Sequence, residues 1–371
     1  MNLFLIAGEP SGDRLGAALM AGLKSLEPGV TFTGVGGPLM AAEGLASLFP
    51  MEELSIMGIA EVLPKYLHLK RRISETAAAV TARNPAALIT IDSPDFCFRV
   101  ARIVKAANPA QRTIHYVAPS VWAWRPKRAA KMAAYIDHVL ALLPFEPPYM
   151  TAHGMSCDFV GHPVVSEPLA TPQRQTAPLL LALPGSRKAE VARLMPIFGQ
   201  VAGLLATQHP GLSVALPTVR GVAPLVRELA RAWPVQPNVI EDPDHKRQAF
   251  ADATVALAAS GTVSLELAAN RCPMVIAYDM NPVTLWLMRR AALIDTVTLV
   301  NLVSDTRHVP EFIGLRCTPA LIAPALAVVM ADGPARAAQI DAMDITMQRL
   351  GRGGAPPGQR AAQSVLAAIA R

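Results

Sequence analysis

Short apolar runs recur along the chain, each closed by a glycine, proline or serine turn and followed by apolar positions at helical spacing. The first series is Leu3–Ala7, Thr31–Val35, Ala87–Ile91, Thr113–Val117 and His138–Leu143. Runs that are apolar on both faces and alternate with helices predict βαβ units around a parallel sheet. A second series, Leu179–Leu183, Ser213–Pro217, Thr254–Ala258 and Pro273–Ala277, is interleaved with helical stretches such as Lys188–Gln208 and Thr262–Asn270. The fold class expected is therefore α/β, with a doubly wound, Rossmann-like sheet in each half. Between the series, Pro163–Pro178 carries four prolines and little periodicity, which marks a linker. The expected domains are residues 1–165 and 177–340. In the tail, 341–371, the last helical stretch sets Ala361, Val365, Leu366 and Ile369 on one face, to pack back on the body.

Composition narrows this picture. A chain of 371 residues suits two domains, and 52% hydrophobic with 17% charged residues argues against disorder. The net charge of +6 favours anionic partners without choosing among nucleotide, lipid head group and nucleic acid. Four scattered cysteines with no C-x-x-C pair fit a reducing cytoplasm and predict no metal site. Met1–Gly8 reads as a first strand and not a signal peptide. The longest apolar run, Pro319–Ala331, is broken by proline and shorter than the ~18 residues of a membrane span.

Ligands of parallel sheets bind beyond the carboxyl ends of the strands, so the loops there are the first candidates. Pro184-Gly185-Ser186-Arg187 leads into a helix, where exposed N–H groups and a guanidinium make an anion site. Ser260-Gly261-Thr262 opens another, with Glu266 one turn further in, placed to accept from a ribose diol. Each alone is an ordinary capped turn; together they point to a nucleoside diphosphate. The Walker and G-x-G-x-x-G patterns are absent, which weakens kinase and dehydrogenase readings.

In the first half, Ser11, Gly12 and Asp13 follow the opening strand, and Asp92 closes the run Ala87–Ile91. Asp92 is either a general base for a hydroxyl or a helix N-cap. Trp122 and Trp124 beside Arg125 suit a sugar or acyl contact, or a plug in the core. His162 reads as a hinge residue, and Asp242-Pro-Asp244 as a turn. In Ile56–Arg72, Ile59, Leu63 and Leu67 share a face ending in a basic cluster. That face suits a membrane interface or a core with a solvated rim, and Pro64 is expected to interrupt any single long helix.

Taken together, these loops resemble the lipid-A-disaccharide synthases, glycosyltransferases of the GT-B type. The matching strings include Gly8-Glu-Pro-Ser-Gly-Asp13, Met57-Gly-Ile-Ala-Glu-Val-Leu63, Asp92-Ser-Pro-Asp-Phe96, Tyr116-Val-Ala-Pro-Ser-Val-Trp-Ala-Trp-Arg125, Leu143-Pro-Phe-Glu146, Phe159-Val-Gly-His-Pro163, Leu183-Pro-Gly-Ser-Arg187 and Ser260-Gly-Thr262 with Glu266. They run in family order across nearly the whole chain.

The resemblance implies two Rossmann-like domains facing across a cleft, the second holding the nucleotide, and a final helix returning to the first. It implies inverting transfer of 2,3-diacylglucosamine from UDP to 2,3-diacylglucosamine 1-phosphate, giving lipid A disaccharide 1-phosphate and UDP without cofactor or metal. Asp92 would be the base and Arg187 would take the leaving-group charge. Gly185, Ser186, Ser260, Gly261, Thr262, Glu266, Asn301 and Glu311 would contact the nucleotide, and Ser11, Gly12, Asp13, Trp122, Trp124 and Arg125 would lie on the acceptor side. The partners implied are the two lipid substrates and the inner face of the cytoplasmic membrane, met by Ile59, Leu63 and Leu67. Nucleic acid is not among them, and a homodimer is left open. The chain departs from the family pattern at Cys97, Ala118, Val300 before Asn301, and Gly314. Rival readings are another UDP-sugar transferase, a non-hydrolysing epimerase, and a binding protein that closes on a nucleotide without chemistry.

Overall fold

A computed structural model describes residues 1–54, 59–173 and 177–370, with the side chains of 59–66, 282–284, 287 and 289 outside that description. The chain divides into two compact units, Met1–Ser166 with Gly353–Arg371, and Glu167–Arg352.

Among the described residues, the first unit holds seven strands: β1 Asn2–Ala7, β2 Thr31–Val35, β3 Ala46–Ser47, β4 Ala87–Ile91, β5 Thr113–Tyr116, β6 His138–Ala141 and β7 Ser156–Phe159. All pair in parallel, in the order β3-β2-β1-β4-β5-β6-β7. Strand β1 shows why its sequence is an unbroken apolar run. Leu3, Leu5 and Ala7 pack with Leu15, Leu19 and Val365 on one face, while Phe4 and Ile6 pack with Val80, Val100 and Val104 on the other.

The helix Pro357–Ala370 lies on the helix Pro10–Leu26, and Ala361 and Val365 enter the core as their spacing predicts. A polar chain fixes it to the sheet. Nε2 of His138 pairs with Ser364 Oγ at 2.8 Å, and that hydroxyl donates to Asp158 Oδ2 at 2.6 Å. The preceding helix, Pro334–Arg349, stays with the second unit, so the chain passes between units at 352/353 and not at 340/341. The fully buried Gln339 explains this: its amide accepts from Met274 N at 2.9 Å and donates to Met274 O at 3.0 Å.

The second unit holds β8 Leu179–Leu183, β9 Ser213–Pro217, β10 Asn238–Ile240, β11 Val255–Ala258, β12 Met274–Tyr278 and β13 Glu311–Ile313, again parallel, in the order β10-β9-β8-β11-β12-β13. The helix Lys188–Gln208 is long and apolar enough to cross a membrane by those criteria alone, yet Val191, Leu194, Phe198, Val201 and Leu205 belong to this unit's core. In each sheet the strand order reverses once, between β1 and β4 and between β8 and β11. Those two reversals open the crevices where doubly wound sheets bind ligands.

Candidate functional site

At the β8/β11 reversal lies a cavity of about 460 Å³, walled by Gly185–Arg187, Ser260–Val263, Thr218, Lys246 and Glu266. Local backbone explains its shape. Gly185 adopts φ +104°, and a Cβ there would come within 2.6 Å of Glu190 Oε2, so only glycine fits the turn. Arg187 occupies the N-cap position of the helix Lys188–Gln208. Its Nη1 lies 3.0 Å from Glu190 Oε1, which also accepts from the Tyr278 hydroxyl at 3.2 Å. The guanidinium is 66% exposed and open to a ligand. Gly261 takes φ +139° with open space around it, leaving the backbone of 260–262 approachable. Glu266 pairs with Lys246 at 2.8 Å. The enclosed Thr218 Oγ1 has no protein partner. Guanidinium, ammonium, exposed amides and a carboxylate on one wall suit a diphosphate joined to a diol.

At the β1/β4 reversal stands Asp92. It and Ser93 both adopt left-handed backbone, φ 52° and 42°, a conformation that costs an L-residue other than asparagine or aspartate roughly 1–2 kcal/mol. Gly8 makes room, since a Cβ there would meet Ser93 Oγ at 2.7 Å. Ser11 Oγ donates to Asp92 Oδ2 at 3.5 Å. The following helix starts at Pro94 with Ser93 at the cap position, so Asp92 does not cap it and the N-cap alternative falls. A second cavity, about 390 Å³, lies beside this turn and is walled by Leu54, Leu69, Lys70, Ile73, Phe96 and Arg99 among others.

A sequence model described as lipid-A-disaccharide synthetase matches residues 3–364. The chain is 60% identical to the lipid-A-disaccharide synthase of Ruegeria pomeroyi, over 99% of the chain and 95% of that protein. The chain belongs to the lipid-A-disaccharide synthase family. It is also 48% identical to the synthase of Rhodospirillum centenum, over 100% of the chain and 95% of that protein. Among solved structures it is similar to the UDP-GlcNAc 2-epimerase of Neisseria meningitidis bound to UDP-GlcNAc, with TM-score 0.62, 10% identity and 99% of each chain covered. It is also similar to the calicheamicin glycosyltransferase CalG4, with TM-score 0.62, 19% identity and 100% and 98% covered. Those two likenesses concern the fold alone. Family membership makes the chain a glycosyltransferase of lipid A biosynthesis.

In this member of the family, several residues singled out in the sequence are committed to structure. Asp13 is buried, and its carboxylate accepts from Gly37 N, Leu39 N and Met40 N, each at 3.0 Å. It caps the helix Pro38–Ala42 and is not free for an acceptor. Gly12 packs on Ala7 and Ile91, where a Cβ would find contacts at 3.3 and 3.4 Å. Asn301, 1% exposed, accepts from Val309 N at 3.0 Å and donates to Val309 O at 2.9 Å and Thr296 Oγ1 at 3.2 Å. Glu311 accepts from Val297 N and Thr298 N at 3.0 and 2.8 Å. Neither Asn301 nor Glu311 lines the cavity. Both brace the 296–298 loop, whose Val297 carbonyl accepts from Ser260 Oγ at 3.4 Å.

Trp122 is buried, and its Nε1 donates to Glu146 Oε1 at 3.2 Å. Trp124 is 40% exposed with the Arg125 guanidinium 3.8 Å above its ring. Of the two tryptophans, then, Trp122 belongs to the core and Trp124 faces solvent. His162 is held by Val164 N, which donates to its Nδ1 at 3.2 Å, and burial pushes its pKa down to about 4. Asp242 is an N-cap, accepting from Asp244 N and His245 N.

In the basic amphipathic stretch, residues 56–58 and the side chains of Ile59 and Leu63 lie outside the described residues. One helix runs from Ile59 to Arg83 through Pro64, so the expected interruption does not occur; a proline near a helix start removes one hydrogen bond without ending the helix. Leu67 is 78% exposed. Sequence spacing gave no sign of Lys246 or Thr218.

Proposed function

We propose that the chain transfers 2,3-diacylglucosamine from its UDP donor to the 6-hydroxyl of 2,3-diacylglucosamine 1-phosphate, with inversion. The acceptor oxygen bonds to the donor's anomeric carbon as the bond from that carbon to the diphosphate breaks. Asp92 takes the hydroxyl proton, and UDP leaves with the electron pair.

The observation that carries this reading is the cavity at the β8/β11 reversal, where Arg187 stands with the exposed backbone of 185–187 and 260–262 and the carboxylate of Glu266. Charge that develops on a departing diphosphate is stabilised most by donors already in place. The guanidinium and amides supply them, which leaves a metal ion no required part. Inversion follows from single displacement at the anomeric carbon.

The lipid character of both substrates extends the proposal to the inner face of the cytoplasmic membrane. Support comes from Leu67, exposed on the same helix as the exposed Lys70 and Arg71. Leu63→Ser with Leu67→Ser should reduce flotation with anionic vesicles; undiminished flotation would remove this stretch as the contact.

The direct test follows UDP released from the diacylated donor, with and without the monosaccharide 1-phosphate and with added chelator. UDP should appear only with acceptor present and at the same rate under chelation. Release without acceptor, or conversion of the donor to an epimer, would overturn the transferase reading.

A further inference from the structure

Lys246 projects from the helix Pro243–Asp252 into the cavity of the second unit. Its Nζ lies 2.8 Å from Glu266 Oε2 and 5.1 Å from the centre of the buried Phe250 ring. The ammonium is thus held from two directions, by a carboxylate and by an aromatic face. The start of its helix is fixed as well: Asp242 Oδ1 accepts from Asp244 N at 3.0 Å and His245 N at 2.9 Å, and Lys246 N donates to Asp242 O at 2.9 Å. Among the described residues no donor reaches Glu266 Oε1. One oxygen of this carboxylate is committed to Lys246, and the residue lines the cavity.

We propose that Lys246 is a positioning residue that sets selectivity for the ribose of the donor. By holding Oε2 it fixes the Glu266 rotamer so that Oε1 meets the vicinal hydroxyls of a nucleoside diphosphate. The inference rests on the reading that this cavity takes UDP. A carboxylate free to turn into water distinguishes ribose from deoxyribose poorly, because solvent replaces the missing hydroxyls at little cost. A carboxylate clamped against the sugar loses its partner when the hydroxyls are gone, and that loss is the source of discrimination. Both side chains are more than a third exposed, so the pair adds little to fold stability, and its removal leaves a folded protein.

The test is calorimetric titration of the full chain with UDP and with 2′,3′-dideoxyuridine diphosphate, for the native protein, Lys246→Met, Lys246→Arg and Glu266→Gln. The native protein should prefer UDP by about tenfold or more. Lys246→Met should lose most of that preference while binding the dideoxy compound within about twofold of native, and Lys246→Arg should restore it. In turnover, Lys246→Met should raise KM for the donor about tenfold with kcat changed far less. Native preference retained in Lys246→Met, or equal weakening of both ligands, overturns the positioning role while leaving the UDP cavity intact. If the native protein bound no UDP, the nucleotide reading would fall and this inference with it.

Discussion

Arg187 and Glu190 form an ion pair at 3.0 Å one helical turn apart, and the same carboxylate oxygen accepts from the Tyr278 hydroxyl at 3.2 Å. Glu190 therefore orients the guanidinium from behind while most of the Arg187 side chain remains in solvent. Arg187→Ala should lower turnover by about 10²–10³, the typical loss for one charge-stabilising donor. Melting should stay near native, because an exposed pair adds little stability. Initial rates of UDP release check this, and near-normal turnover would remove Arg187 from the leaving-group role.

Asp92 and Ser93 place two successive side chains on left-handed backbone. Asparagine adopts that conformation as readily as aspartate, so Asp92→Asn keeps the turn and removes only the proton-accepting group. Turnover should fall by about 10²–10⁴. A full-rate variant would exclude Asp92 as the base.

The parts of the site that were legible in the sequence are those written locally. Gly185–Arg187 and Ser260–Thr262 each follow an apolar strand and open a helix, and a glycine marks the backbone conformation each turn requires. Lys246 was not legible because its partner Glu266 is 20 residues away on another helix, and no local spacing links them. Asn301 and Glu311 show a different limit. A polar side chain in a loop has the same sequence signature whether it faces a ligand or closes a backbone turn, so the hydrogen bonds of Asn301 to Val309 become visible only in the folded chain. The sheet edges went unread because β3, β7, β10 and β13 have two to four residues each, too few for an alternation to register.

Glu146 provides a pH dependence with a definite sign. Burial pushes its carboxyl up from 4.5 to about 7, against the hydrogen bonds from Leu143 N, Trp122 Nε1 and Leu142 N, which favour the charged form. The folded state thus holds this proton more tightly than the unfolded chain. The stabilisation is complete below pH 4.5, declines as pH rises toward 7 and is gone above it, a change on the order of 3 kcal/mol. Urea unfolding followed by tryptophan fluorescence at pH 5 and 7.5 should show this decline in the native protein and a smaller one in Glu146→Gln. Parallel slopes in the two proteins would show that Glu146 is not the titrating group.

The contact between the helices Pro10–Leu26 and Pro357–Ala370 depends on glycine at two facing positions. A Cβ on Gly358 would lie 2.5 Å from the Ala18 carbonyl oxygen, and one on Gly22 would lie 2.7 Å from the Gly358 carbonyl oxygen. Both obstacles are backbone, so no change of side-chain rotamer relieves them. Gly358→Val should force the last helix off its seat, lift Ala361 and Val365 from the core of the first unit, and cost about 3 kcal/mol. Hydrogen exchange should then rise across 357–370, and protease should cut near 351–356. UDP affinity should stay native, because the cavity proposed to bind it lies wholly in the second unit. Unchanged exchange in the last helix would show that the neighbouring backbone shifts to admit the larger side chain. Ser364→Ala is the milder companion. It leaves the buried Nε2 of His138 without its hydroxyl partner and should cost about 1 kcal/mol with the helix still seated.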